Sequence, residues 1–482
     1  MDGERSTPCR DCQRLQAQLD ALQAQFQELQ RNFSRLQEQL AQTQEQLAKA
    51  RKNSSTSSKP PSSDLVKPPK PAPPDGGKRR RGGQPGHPRH LRQPFSPELL
   101  NGGTIIYPLE LCPECGHGLQ AATCPALVVQ QVEIEIVPLC ITEHRAQAGY
   151  CPHCQRVHYA ALPSAVAKGG MAGPRLTTLI AFLKGVCHAS FSTIRKFLRD
   201  VVCLTISRGQ LVKIIAKATQ ALDGPYQELL DHLPGQSRVN VDETGHKDGK
   251  EQWWTWCFRA SLYTLFKIDA TRSGDVLLDV LGNEFNGVLG CDYFSAYRRY
   301  MRVCHVVVQF CLAHLIRDVK FLTTLPDARD RAYGTRLREA LRGLFAVIHQ
   351  REQLTPRVFA RDLAAARDEV LRQAATAVPP TQHSANLAKR FADHGEAYFE
   401  FVTTPGVAPT NNLAEQAIRF VVIDRKVTQG TRGEKGRRWC ERIWTVVATC
   451  TQQGRSVFEY VYEAVKASFE QKPAPSLLSE DQ

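Results

Sequence analysis

Three acidic residues, each closing a strongly patterned segment, carry the chemistry in this 482-residue chain: Asp242 in SRVNVDET, Asp292 in NGVLGCDYFSAY and Glu415 in APTNNLAEQAIRF. The first two segments read as strands running into an exposed carboxylate, and the third as a capped helix. Carboxylates converging from separate elements supply the shared, hard oxygen ligands that paired Mg²⁺ (or Mn²⁺) ions need, which is the arrangement for two-metal phosphodiester chemistry. Neighbouring acids compete for these roles. Glu243 points to the opposite face if its strand continues. Asp275 reads as a first-turn residue near a helix N-terminus, and Asp424 stays a competitor on pattern alone. Asn411 or Asn412 is the predicted cap of the Glu415 helix.

The second set is made of thiols. Cys112 and Cys115 (CPEC) and Cys151 and Cys154 (CPHC) flank VVQQVEIEIVPLCITEH, whose alternation reads as β-strands. Two CxxC knuckles suit tetrahedral Zn²⁺, which favours four thiolates and stabilises a module too small for its own core. The 35-residue separation exceeds the usual spacing, and an inserted hairpin accounts for it. Two disulfides or free thiols are the alternative. Cys9 and Cys12 form a third CxxC with no second pair nearby, so their role stays open. Cys311 and His314 lie three apart on one helical face. Metal binding, DNA positioning, or simply a buried thiol beside a satisfied imidazole all fit them. Arg317, a further turn on, is the better phosphate contact.

A formal charge of +14 and a pI near 9.1 predict a polyanionic partner, nucleic acid or an anionic membrane surface. Residues 51–92 hold eleven Lys and Arg against Asp64 and Asp75, so nine net charges concentrate there. The polar start MDGERSTPCRDC lacks the apolar core of a signal peptide. No apolar run reaches the roughly 18–20 residues needed to span a bilayer. A membrane-spanning protein is excluded, and a reducing cytoplasm is expected. There Cys187, Cys203, Cys304 and Cys311, all in apolar segments, read as buried free thiols.

The positioning elements follow from periodicity. Leu15, Leu22, Leu29 and Leu36 take one heptad position and Leu19, Phe26, Phe33, Leu40 and Leu47 the other, broken only by Thr43. This predicts a coiled coil over 13–50, with a single helix packed on the chain's own core as the alternative. Residues 51–98 read as a disordered basic Pro/Ser-rich linker in which Lys78, Arg79, Arg80 and Arg81 form a phosphate-binding arm. Residues 99–165 are the zinc-binding β module. Residues 172–234 read as a helical, helix-turn-helix-like region, capped by Ser190 and Ser207. Arg195, Lys196, Arg208, Lys213 and Lys217 give it a basic face, and a plain supporting bundle fits equally. Residues 235–325 become mixed α/β. Strands are expected at Val239–Asp242, Trp253–Arg259, Leu262–Ile268, Gly287–Asp292 and His305–Phe310, with HKDGK as the first turn and a helix near Gly274–Leu281. A three-strand meander followed by alternating strands and helices is the order of a ribonuclease-H-like sheet. Residues 326–404 look helical and interrupt the core, 405–470 return to it with Glu415, and 471–482 read as a flexible tail.

Over nearly its whole length the chain resembles the DDE transposases of bacterial insertion sequences of the sixty-six family. KNSSTSSKPPSSD and GGQPGH resemble that family's linker, CPEC and CPHC its zinc module, and VDET, DYFSAY, CLAHLIR and NNLAEQAIR its catalytic blocks. The resemblance implies a multidomain protein with a ribonuclease-H-like catalytic core and a helical insertion domain. It implies Asp242, Asp292 and Glu415 as a Mg²⁺-binding triad that cleaves DNA at element ends and transfers 3′-hydroxyls into target DNA. Arg317, Arg419, Arg425 and Lys426 are the flanking DNA candidates. A homodimer or higher oligomer and accessory proteins of the same element are the implied partners. Three departures bear on the flanks: Gln416 stands where an Arg is usual, His246 replaces an aromatic, and VTQGTRGEKGRRW follows Arg425–Lys426. The competing expectations are a zinc-containing DNA-binding regulator without catalysis, and a ribonuclease-H-like nuclease acting on RNA–DNA hybrids.

Overall fold

The computed structural model describes residues 10–52, 56, 96–99, 139–151 and 155–478. Contacts divide the chain into two units, residues 1–68 with 144–482, and residues 69–143. In the second unit the described residues include the short turn Pro97–Leu99. Cys9, the basic arm Lys78–Arg81, and Cys112, Cys115 and Cys154 lie outside the described residues, as does most of the linker. Cys12 and Cys151 are placed by their backbone alone.

Helix α1 spans Arg10–Ala50, about 60 Å at 1.5 Å per residue. Its heptad seam is bare within this single chain: Leu15, Leu22, Leu29, Leu36 and their Phe and Leu partners are each 48–66% exposed. The seam therefore does not pack on the chain's own core. Among the described residues the helix end docks, where Glu45 Oε1 meets His383 Nε2 at 3.0 Å and Lys52 lies 3.7 Å over the Phe321 ring. Strands β1 (Ala148–Cys151) and β2 (Arg156–Tyr159) pair antiparallel around the second CxxC, with Cys151 opposite Arg156.

Five helices follow: α2 (Ser164–Gly169), α3 (Pro174–Gly185), α4 (Phe191–Asp200), α5 (Arg208–Ala221) and α6 (Asp223–His232). Ser190 and Ser207 cap α4 and α5, accepting from the N–H groups of Thr193 and Gln210. The expected basic face is divided in purpose. Arg195 bonds the Ile206 carbonyl and Lys217 the Gly169 carbonyl, whereas Lys196, Arg208 and Lys213 stay exposed.

The central sheet has the order β5-β4-β3-β6-β7. Strands β3 (Arg238–Asp248), β4 (Glu251–Arg259) and β5 (Thr264–Asp269) form the antiparallel meander, and β6 (Val288–Cys291) and β7 (Val307–Phe310) run parallel to β3. Parallel neighbours need a crossover, supplied by α7 (Asp275–Leu281) and α8 (Ser295–Cys304); α9 (Leu312–Leu322) leaves β7. The first hairpin is tighter than the predicted HKDGK turn. The β3 ladder continues to Asp248 opposite Glu251, leaving Gly249 and Lys250 as the loop, with Gly249 at φ +62° where a side chain would be strained. The last elements are α10 (Ala328–His349), α11 (Pro356–Ala375), α12 (Gln382–His394), α13 (Glu400–Thr403), α14 (Asn412–Thr428), α15 (Glu434–Gln452) and α16 (Val457–Phe469).

Helix α15 closes the exposed edge of β5 with its side chains. Glu441, Thr445 and Thr449 accept the backbone N–H groups of Ile268, Phe266 and Thr264 at 2.8, 3.0 and 3.1 Å. The match is geometric: four helical residues advance about 6 Å, close to two residues of a strand. An open edge would invite pairing with another chain. Thr445→Val keeps the shape and strands the Phe266 N–H in a fully buried place. It should cost about 1–3 kcal/mol in urea unfolding, with Thr445→Ser losing less.

Two expectations change here. Residues 471–478 are not a flexible tail: Leu477 is fully buried, its carbonyl accepts from Gln453, and Tyr460 bonds the Pro475 carbonyl. Cys187 and Cys203 are exposed rather than buried, because each falls just beyond a helix end, Cys203 at φ +57°. Cys311 is buried as expected, and Cys304 is intermediate. Among the described residues no helix is long and apolar enough to cross a membrane.

Candidate active site

The register of β3 and β6 places two of the three acids. Parallel pairing ends at Asn240 opposite Gly290. Asp242 and Asp292 each lie two residues further, so they share a face where β6 ends beside the middle of β3. β3 is also where the strand order reverses, the position at which open sheets leave a crevice for ligands. The close approach requires Gly290: a Cβ there would fall 2.3 Å from Asn240 Nδ2.

Glu415 arrives on the first turn of α14. The predicted cap does something else. Asn411 occupies the N-cap position, but its side chain makes no cap bond. Instead its Nδ2 donates to the Val241 carbonyl at 2.8 Å, its Oδ1 accepts from Asn240 Nδ2 at 2.9 Å, and its N–H donates to Cys311 Sγ at 3.2 Å. This buried residue ties β3, α9 and α14 together at the point where they converge. The Leu312 N–H bond to the Pro409 carbonyl adds a second tie.

Burial pushes the Asp242 carboxyl well above the usual range, and the charges of Glu243, Asp292 and Glu415 add to it. Burial likewise lifts Asp292 to about 6, helped by Glu243 and opposed by the Phe294 N–H, Arg272 and Arg390. Asp292 and Glu415 are thus both within electrostatic reach of Asp242, and each of the three is part-buried rather than sealed. Glu243 takes the opposite face as expected. It is held by Arg272 at 2.5–2.9 Å and by the Tyr297 hydroxyl, and Arg272 is sandwiched by Trp254 and Phe294. Asp275 lies in the first turn of α7, also as expected. Asp424 accepts from His188 at 2.9 Å, away from this cluster of contacts. Arg272 is thereby spent on Glu243, and Glu415 Oε1 is buried without a hydrogen-bond partner. A concentrated negative cluster with an orphaned oxygen fits hard divalent cations.

The flanking candidates differ in setting. Arg317 is part-buried, with Nη2 3.9 Å from Glu415 Oε2. Arg419 and Lys426 are exposed on α14, while Arg425 turns inward to Thr244 Oγ1 at 3.2 Å. His246 is a core residue: its ring nitrogens meet Thr431 and Thr255 hydroxyls at 2.9 and 3.2 Å, edge-on to Trp444. Burial lowers its pKa to about 4. The unfolded chain, with His near 6.5, then binds more protons between those values, so stability falls as pH drops from 6.5 towards 4. His246→Phe should flatten that slope in thermal melts at pH 7 and pH 5; an unchanged slope would mean the imidazole is charged in the core.

Sequence reasoning missed the Asn411 clamp, Arg272 and the grouping of Cys311 and His314 with Glu415. Only the NN doublet before LAEQ signalled the first, and nothing local marks Arg272 as a partner of Glu243. Residues 8–93 match a family of unknown function (DUF6444), and no curated protein matches the chain. Residues 169–438, more than half of the chain and including the elements that carry these acids, match the family described as Transposase IS66 family, so the chain belongs to the IS66 family of transposases and its partner is DNA.

Proposed function

We propose that this transposase cleaves DNA strands at the ends of its element and joins the resulting 3′-hydroxyls to target DNA, using Asp242, Asp292 and Glu415 as the ligands of Mg²⁺ (or Mn²⁺). The observation that carries this reading is the register. Two aspartates stand side by side at the strand-order reversal, and the charge of a helical glutamate reaches Asp242. The meander followed by two parallel strands is also the strand order of a ribonuclease-H-like sheet. Bound there, the cations would activate the attacking water or 3′-hydroxyl and stabilise the leaving oxygen.

The chain's own residues do the positioning. Asn411 fixes the helix bearing Glu415 against the strand bearing Asp242. Arg272 neutralises Glu243, which would otherwise compete for cations behind the site. Arg317 lies beside Glu415 and suits a phosphate oxygen. Arg419 and Lys426 extend a positive face along α14 for the DNA backbone. Arg425, bonded to Thr244, orients more than it contacts. The helical segment 326–404 is the insertion between the two parts of the core. On sequence grounds Zn²⁺ at Cys112, Cys115, Cys151 and Cys154, the arm Lys78–Arg81, and dimerisation through α1 complete the reading, with accessory proteins of the element as further partners.

The test is strand cleavage of duplexes carrying the inverted repeats that flank the gene, with Mg²⁺, Mn²⁺ or chelator. Metal-dependent nicking at the repeat ends is expected. Binding without nicking would leave a regulator, and preference for RNA–DNA hybrids would leave a ribonuclease.

A further inference from the structure

The first turn of α9 brings a second donor set against Glu415. Cys311 Sγ, a ring nitrogen of His314 and a carboxylate oxygen of Glu415 all lie within 4.8 Å of one another. His314 Nδ1 stands 3.6 Å from Glu415 Oε1, beyond hydrogen-bonding range, and both atoms are buried without a partner. His314 is 9% exposed. Leaving two polar atoms unsatisfied in such a place is costly, yet their spacing suits a shared ion. Two bonds of about 2.1 Å span that gap at an angle of roughly 120°, within the range of zinc-type coordination.

The third donor is prepared for the same task. Cys311 is the N-cap residue of α9. The Asn411 N–H donates to its Sγ at 3.2 Å, a bond that favours the thiolate form. His314 Nδ1 has no hydrogen-bond partner, so with the proton on Nε2 its lone pair is open to an ion. One contact must change: Arg317 Nη1 lies 3.4 Å from His314 Nε2. Ligation through Nδ1 leaves the proton on Nε2, so the guanidinium would swing to Glu415 Oε2 or to a phosphate.

We propose that Cys311, His314 and Glu415 form a site for a borderline-soft divalent ion of the Zn²⁺ class, with a fourth position open to water or a phosphate oxygen. A thiolate and an imidazole select such an ion over Mg²⁺. The site is therefore chemically distinct from the hard-oxygen pair Asp242 and Asp292, and Glu415, with two oxygens, belongs to both. It stands whether or not the hard-ion reading holds.

The experiment is metal analysis of the full chain purified without chelator, with Cys311→Ser, His314→Gln and Asp242→Asn beside it. Wild type should hold one zinc per chain more than Cys311→Ser or His314→Gln, and Asp242→Asn should keep the wild-type count while losing Mg²⁺-dependent cleavage. After Co²⁺ exchange, the wild-type minus Cys311→Ser spectrum should show a thiolate-to-cobalt charge-transfer band. This subtraction cancels any cobalt held by the CxxC cysteines. If Cys311→Ser fails to fold, His314→Gln carries the zinc count. Equal zinc in wild type and in the folded Cys311 and His314 variants overturns the proposal. Loss of the same zinc in Asp242→Asn overturns the separation of the two sites.

Discussion

Asp242→Asn, Asp292→Asn and Glu415→Gln should each abolish metal-dependent strand cleavage while leaving binding to element ends largely intact. Each amide keeps the size of the acid and loses the charge that holds a hard cation. Several kcal/mol of charge stabilisation in the transition state correspond to a loss of about 10³-fold or more. The two aspartate variants carry a second, opposite signature. Asp292 titrates near 6 in the folded chain, so the favourable protonated form is present at low pH and lost as pH rises through that value. At pH 7.5 the metal-free wild type then bears on the order of 3 kcal/mol of unrelieved charge at this one residue. Asp292→Asn removes that burden and can still accept the Phe294 N–H, which bonds Oδ1 at 2.9 Å in the wild type. Its melting temperature without metal should therefore match or exceed wild type, and Mg²⁺ should stabilise it less. A variant that keeps near-normal metal-dependent cleavage leaves the triad.

Leu22→Glu with Leu29→Glu should convert a dimer or higher oligomer into a monomer in sedimentation at micromolar concentration. Both residues lie in the seam of α1 and are 66% and 65% exposed within the single chain. A charge introduced there therefore meets water in the monomer and an apolar partner only in the assembly. Burying unpaired carboxylates across that seam costs on the order of 3–5 kcal/mol. The thermal transition of the catalytic core should stay where it was, since Leu22 and Leu29 contribute nothing to that core. Cleavage of a single end should survive better than the joining of two ends, which requires both to be held together. Wild-type protein that sediments as a monomer would remove the coiled coil from the account.

Much of this protein was legible in one dimension. Heptad spacing located α1, strand alternation located all five strands of the sheet, and the Ser190 and Ser207 caps appeared where helix-start chemistry required them. Such signals are local: they depend on a repeat of two, three or four residues and on backbone groups at an element's end. The opposite facing of Asp242 and Glu243 also followed from strand period alone. Long-range pairing decided the rest. The equivalence of Asp242 and Asp292 depends on Asn240 lying opposite Gly290, fifty residues away in sequence. Asn411 looked like a helix cap, but burial among three elements gave its amide better partners than its own helix. His246 looked like a replaced aromatic, and two threonine hydroxyls make it a neutral core residue. Residues 471–482 read as a flexible tail, yet within 471–478 Leu477 finds a fully buried place. The meeting of Cys311 and His314 with Glu415 is of the same kind, since α9 and α14 are far apart in sequence and meet through tertiary contacts such as the Asn411 N–H on Cys311 Sγ. Local pattern determines where a side chain points along its own element; which other side chain it meets is set by packing between elements distant in the chain, and that packing appears only in the folded structure.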